Sequence, residues 1–336
     1  MFLDHTKIHM MWQFCLISVC LVFLMVIHSL PSSASVPTAA LQMQSPKKLT
    51  PPPLHPKKAN PNAEVFTPVN RGPHFDLPVT YNSKVRSWIQ FFQGRGKRDF
   101  RRWLERSYKY LPKITPVLEA QGLPNDLVYL AMIESGFSPR AVSTAEAVGY
   151  WQFIKPTAQR YGLKVDWWLD ERRDIIKSTI AAANYLNDLY RMFNSWYLAA
   201  AAYNMGEGRV KTLIRRHNST NYWILSKKKD FPTETEEYIP KLIAAMLIAK
   251  APALYGFRDL KPQVAVKYDF FNVPGGTDLE NFALYLGLDK EALNNMNPEI
   301  TQGFIPQYVK HHKIRIPPGQ MSRARQFARS SLVMSN

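Results

Sequence analysis

Gly122–Phe137 reads GLPNDLVYLAMIESGF, and the fold turns on this stretch. Gly122-Leu123-Pro124-Asn125 stops one helix and restarts another, with Asn125 a good N-cap for DLVYLAMIES. Gly136 is a natural terminator for the new helix. Beyond its first turn that helix carries one carboxylate, Glu134, followed by Ser135. A carboxylate in the last turn faces the negative end of the helix dipole. The flanking Tyr129, Leu130, Met132, Ile133 and Phe137 are apolar and withhold water from it. Both effects raise its pKa toward a carboxyl group that stays protonated near neutral pH. The same pattern also describes a plain surface glutamate at a helix end, so the stretch by itself leaves two readings open.

Working outward, KVRSWIQFFQ and then DFRRWLERSYKYLPKITPVLEAQG place apolar residues at three- and four-residue intervals, as amphipathic helices require. Pro112 and Pro116 are expected to end or bend the second. Downstream, helices are expected at about 155–161, 175–193, 195–203, 207–217 and 234–250. No useful run of alternating apolar and polar residues occurs before Gln263, so the core is expected to be all-α.

Three further segments bear on Glu134. Gly149–Phe153, GYWQF, falls in a loop after SPRAVSTAEAV. Ala202–Gly208, AYNMGEG, sets Tyr203 and Asn204 beside two glycines between helices. Glu234–Lys250, ETEEYIPKLIAAMLIAK, begins with acidic residues at a helix N-terminus and puts Tyr238 in its first turns. Asn and Gln amides match the donor and acceptor pattern of sugar hydroxyls and acetamido groups, and Tyr and Trp offer stacking faces. A glycosidic oxygen must be protonated as its bond breaks, which is work for a carboxyl group kept neutral.

Taken in order, Glu134-Ser135, Gly149-Tyr150-Trp151-Gln152-Phe153, Ala202-Tyr203-Asn204-Met205-Gly206 and Glu234-Thr235-Glu236-Glu237-Tyr238-Ile239-Pro240-Lys241 resemble the soluble-lytic-transglycosylase (SLT) family, in its membrane-bound D-type branch. The resemblance covers roughly residues 84 to 256. It implies a mainly α, lysozyme-like helical catalytic domain that cleaves peptidoglycan between N-acetylmuramic acid and N-acetylglucosamine. Glu134 would protonate the leaving oxygen while the substrate's acetamido group stabilises the anomeric centre. Glu134 would then take the proton of the C6 hydroxyl, which closes a 1,6-anhydro ring. One carboxylate suffices there, unlike the usual paired-carboxylate glycosidase. Ser135, Gln152, Asn204 and Tyr238 would hold sugars or orient Glu134, and Tyr203 and Trp151 would either bind or pack. Two positions depart from the pattern: Glu146 stands where glycine is usual, and Tyr150 where leucine is. A carboxylate at 146 is either a solvated loop charge or a modifier of the cleft that opens a two-carboxylate hydrolytic route with Glu134.

From Gln263 the pattern turns mixed. QVAVKYDFFNV is expected to be a strand, DLENFALYLG and KEALNNMNP two short helices, and KIRIP a closing strand. This β-α-α-β order resembles a small α+β LysM-like module, which implies either a glycan-binding role or a structural cap. The basic tail SRARQFARSSLVMSN is expected to be helical.

The 336 residues allow one large domain or two smaller ones. The expected layout is a signal or anchor at 1–34, a Pro/Lys-rich linker at 35–82, the catalytic domain at 83–258, the module at 263–319 and the tail at 320–336. The apolar run Met10–Ile27 follows Lys7 and precedes SLPSSAS, the order of a secretory signal, and it is long enough to remain as a membrane anchor. Cys20 sits mid-run, which argues against lipidation. Export is therefore expected, and the family resemblance implies the periplasm or envelope of a Gram-negative bacterium as its destination. The net charge of +17 is concentrated in the flanks, with fourteen Lys/Arg against four Asp/Glu between Pro31 and Tyr110 and six against none from Phe304 onward. Such flanks suit an acidic polymer or a membrane surface as neighbour, and the export signal argues against nucleic acid. Both cysteines, Cys15 and Cys20, lie in the apolar run, and no HExxH or comparable spacing occurs, so chemistry without metal or cofactor is expected. The rival readings are a lysozyme-type hydrolase and a non-catalytic peptidoglycan-binding protein.

Overall fold

The protein is described from a computed structural model, which covers residues 73–333. The apolar run Met10–Ile27 and most of the linker lie outside the described residues. Among the described residues, no helix is long and apolar enough to cross a membrane.

The helical part opens with α1 (Ser83–Gln93), capped by Asn82, whose side chain accepts from the Val85 amide at 3.0 Å. Helix α2 (Lys97–Ala120) runs through Pro112 and Pro116, so neither proline ends it, contrary to one alternative of the sequence reading. Each proline removes one backbone donor, but Phe100, Leu104, Tyr110, Ile114 and Leu118 bury the same face on both sides of the gap. Tertiary packing of that stripe outweighs the lost bonds.

Asn125 is not the N-cap of the next helix. A one-turn 3-10 segment, Asn125–Leu127, intervenes, and the Asn125 side-chain Nδ2 donates to Glu119 Oε1 at 2.9 Å. The neighbouring Asp126 does the anchoring: its buried carboxylate accepts from the amides of Asp76 at 2.6 Å and Leu77 at 3.2 Å and pairs with Lys250. Helix α3 (Val128–Ser135) follows, and its residues from Val128 to Ile133 are all buried. It stops at Gly136 with φ +58°, where any Cβ would lie 2.2 Å from the Trp103 ring. Glycine is required there on both counts.

Next come α4 (Lys155–Arg160), α5 (Ile175–Phe193), α6 (Trp196–Met205), α7 (Glu207–His217), α8 (Tyr222–Leu225) and α9 (Thr233–Lys250). These agree with the spans expected from the sequence, apart from the short α8. Pro240 lies inside α9 and leaves the carbonyl of Glu236 without its usual i+4 donor. The Tyr222 hydroxyl stands in, 3.1 Å from that carbonyl and 2.9 Å from the carbonyl of Thr235.

The C-terminal module has the expected β-α-α-β order. Strand β1 (Asp269–Pro274) pairs antiparallel with β2 (His311–Ile316), and α10 (Leu279–Leu286) and α11 (Lys290–Met296) lie between them in sequence. The first strand is shorter than expected, because the backbone at Gln263 bonds instead to the Glu105 carbonyl on α2 at 2.9 Å. The tail forms α12 (Met321–Val333).

The module's core contains Val273, Phe282, Leu293, Ile305 and Ile314, together with two residues from the helical domain, Trp168 and Leu169. Their loop is tied in by Asp170 N to Glu299 O at 2.8 Å and Thr301 N to Trp168 O at 2.9 Å. Beneath it, buried Arg315 pairs with Asp174 and, at 2.7 Å, with Glu299. Asp174 also caps α5 through the amides of Ile176 and Lys177.

Candidate active site

Glu134 sits in the last turn of α3, with α9 packed against it. Its surface is partly exposed while its carboxyl stands among protein groups. Burial pushes its pKa up to about 7, against the lowering effects of the Tyr238 hydroxyl and the Lys241 charge, and Glu234 adds to the rise. Tyr238 donates its hydroxyl to Glu134 Oε1 at 2.5 Å. The phenol itself is held well above its ordinary range by burial and by the carboxyl beside it.

The loop of GYWQF closes behind this pair. Gly149 has φ +82°, and a Cβ there would stand 2.0 Å from the Arg172 carbonyl oxygen. Only glycine lets the loop lie on that backbone. Arg172, paired with Asp170 at 2.9 Å, donates to the carbonyls of Glu146 at 3.1 Å and Phe153 at 3.0 Å. Gln152, itself at φ +50°, donates to the carbonyls of Ala141 at 3.3 Å and Gly149 at 2.9 Å. Ser135 donates toward the carbonyls of Tyr150 at 2.8 Å and Ala131 at 3.2 Å and accepts from the Ser138 amide at 3.1 Å. Ser135 therefore ties the end of α3 to the loop.

Tyr203, from α6, donates to the Trp151 carbonyl at 2.7 Å, and burial together with the Glu134 charge holds its phenol well above the ordinary range. Asn204 bridges to α9, donating to Glu234 Oε1 at 3.2 Å and accepting from Thr235 Oγ1 at 2.6 Å. Trp151 is 0% exposed and donates its indole N–H to Thr179 Oγ1 at 3.0 Å. Of its two readings, packing is the one the geometry supports. Tyr150 is also buried and meets Tyr110 edge-on at 5.0 Å.

Glu146 is exposed, and its backbone takes φ +58°. Glycine adopts that left-handed conformation without strain, whereas glutamate does not. The carboxylate whose charge bears on Glu134 is Glu234, not Glu146. Among the described residues, no group of three or more His, Cys, Asp or Glu is placed to hold a metal ion.

Two cations at the end of α3 were not singled out by sequence reasoning. Lys241 donates to the Ile133 carbonyl at 2.9 Å, and Arg106 to the Gly136 carbonyl at 2.8 Å. Lys241 was legible in principle, since it lies three residues beyond Tyr238 on the same helix face. Arg106 had no signal, because it reaches the site from a helix remote in sequence.

Residues 118–226 match the family model described as Transglycosylase SLT domain. The membrane-bound lytic murein transglycosylase D of Escherichia coli K12 is 31% identical over 277 residues, covering 79% of this chain and 60% of the relative. The peptidoglycan transglycosylase gp16 of phage T7 is 41% identical over 95 residues, 27% of this chain and 7% of the phage protein. Among solved structures, the 70 kDa soluble lytic transglycosylase of Escherichia coli overlaps 54% of this chain and 32% of its own, at 18% identity and a TM-score of 0.38. The chain thus spans 60% of the length of the D-type relative. The SLT match encloses Glu134, Gln152 and Asn204, and the D-type likeness runs through most of the chain, so the protein carries an SLT-type domain and is similar to the lytic murein transglycosylases of type D.

Proposed function

We propose that the protein cleaves the β-1,4 bond between N-acetylmuramic acid and N-acetylglucosamine in peptidoglycan and leaves 1,6-anhydro ends. The observation that carries this reading is the Glu134 carboxyl, balanced near pKa 7 with the Tyr238 hydroxyl bonded to it. A group so poised is available in both protonation states at neutral pH, and this reaction needs both.

Protonated Glu134 gives its proton to the glycosidic oxygen as the bond to the anomeric carbon breaks. The substrate's own acetamido oxygen stabilises that carbon. Ionised Glu134 then accepts the C6 hydroxyl proton as the C6 oxygen attacks the anomeric carbon. Tyr238 holds the carboxylate in place between the steps, and Ser135, Gln152, Tyr203 and Asn204 hold the walls against which the sugars lie. Trp151 contributes by packing behind the loop. Glu146 is a solvated loop charge in this reading, since it is exposed and Glu234 is the acid that Glu134 senses.

The envelope of a Gram-negative cell is the proposed location, with the apolar N-terminal run as signal or anchor. The C-terminal module is proposed to be LysM-like and to bind N-acetylglucosamine-containing chains while bracing the catalytic domain.

Mass spectrometry of material released from purified sacculi tests the reading, with the Glu134→Gln variant alongside. Products lighter by one water than reducing ends, and lost in the variant, are expected. Reducing ends would identify a hydrolase, and sacculi bound intact by both proteins would identify a binding protein.

A further inference from the structure

Lys241 places a positive charge at the carbonyl end of the catalytic helix. Its ammonium donates to the carbonyl of Ile133, the residue before Glu134, at 2.9 Å. The rings of Trp88 and Trp103 lie 5.8 and 6.0 Å from the same nitrogen. Helix α1 supplies Trp88, α2 supplies Trp103, and α9 supplies the lysine, so three elements fix one charge beside α3. Trp88 is held in turn by Glu237 Oε2, which accepts from its indole N–H at 2.8 Å. Trp103 is the ring that closes on Gly136.

The position matters because of what burial does to Glu134. Desolvation favours the neutral acid, which suits proton donation and opposes the return step, where the same group must stand ionised. A cation fixed at the negative end of the helix dipole offsets both unfavourable fields. We propose that Lys241 is a positioning residue that sets the protonation range of Glu134, holding its helix end and stabilising the carboxylate that must recover a proton from the sugar. This inference rests on the acid-then-base reading above.

Other groups act on the same carboxyl. Tyr238 donates to it, and Glu234 on α9 raises its pKa. Tyr203 on α6 feels the charge of that carboxyl, and Arg106 on α2 reaches the Gly136 carbonyl beyond it. Lys241 itself is pulled down by burial and back up by Glu134 and Glu234.

The test is a carbon-13 NMR titration of the full chain carrying labelled glutamate, with the Glu134 signal assigned by its loss in Glu134→Gln. Lys241→Met is expected to move the Glu134 midpoint upward by about one pH unit. Lys241→Arg is expected to return it to the wild-type value. The alkaline limb of kcat on glycan strands should move with the midpoint, KM staying within about twofold. If neutral substitutions do not fold, the reciprocal reading needs no change at 241: Glu134→Gln should lower the Lys241 midpoint, followed by nitrogen-15 NMR of labelled lysine. A Glu134 midpoint that ignores Lys241→Met in a folded protein overturns the proposal. So does an arginine variant that behaves like methionine, or a Lys241 midpoint indifferent to Glu134→Gln. Because the titrations need no substrate, they stand apart from the sacculus assay, whose failure would remove the chemistry and leave the coupling measurable.

Discussion

The Tyr238 hydroxyl and Glu134 Oε1 stand 2.5 Å apart, joining the second turn of α9 to the last turn of α3. That bond favours the ionised carboxylate, while burial favours the acid. Tyr238→Phe should therefore raise the Glu134 pKa and loosen the carboxyl. The expected loss is about 10²-fold in kcat, with the alkaline limb displaced upward. Initial rates of anhydro-end release between pH 5 and 9 provide the check, and an unmoved limb would detach Tyr238 from the protonation of Glu134.

Glu134 should weaken the fold that houses it. Its folded pKa of about 7 lies above the ordinary 4.5, so the unfolded chain loses this proton first as pH rises. Stability from this group is full at low pH and falls through the window from about 4.5 to about 7. Glu134→Gln should stabilise the protein at pH 8 by up to about 3 kcal/mol and by much less at pH 5. Urea denaturation at the two pH values measures the difference, and an equal gain at both would show that ionisation is not its source.

Arg315 stands between two buried carboxylates, Asp174 of the helical domain and Glu299 of the module. Arg315→Met would leave both without their cation, and Asp174 is also the cap of α5. A loss of about 3–5 kcal/mol is expected, because breaking a buried pair strands its partner. Thermal unfolding followed by tryptophan fluorescence and by far-ultraviolet circular dichroism should still give one shared transition. Two separated transitions would mean that the domains unfold independently.

Glu146 occupies a left-handed backbone position, which costs a non-glycine residue about 1–2 kcal/mol. Glu146→Gly should relieve part of that and raise stability by about 1 kcal/mol, offset in part by the greater freedom of the unfolded chain. Activity should stay within about twofold of wild type. A large loss on sacculi would return Glu146 to the cleft and revive the two-carboxylate route.

The helical order was legible because periodicity and terminators are local signals. α5, α7 and α9 fall within a residue of their expected spans, and Gly136 ends α3 as its lack of a side chain suggests. Misreadings arose where distant residues intervene. Nothing near Pro112 tells that buried residues on both sides would carry α2 through it. Nothing near Asn125 tells that Asp126 would be claimed by the backbone at residues 76 and 77. At the site, Glu134 and Tyr238 were visible as residue types in order, but not the 2.5 Å bond between them, which requires α3 and α9 to pack. The tie of Ser135 and Gln152 to loop carbonyls is likewise a property of the closed loop.

The module's core is completed by Trp168 and Leu169, which belong to the domain before it. During synthesis from the N-terminus, that loop emerges about a hundred residues before the segment that will cover it. Two large apolar side chains therefore wait in solvent until the last strand arrives, the interval in which a nascent chain is most exposed to association with its neighbours. The same borrowing limits recombination. Cut away at residue 263, the module leaves behind part of its own interior, so it cannot be shuffled onto another enzyme as a finished piece.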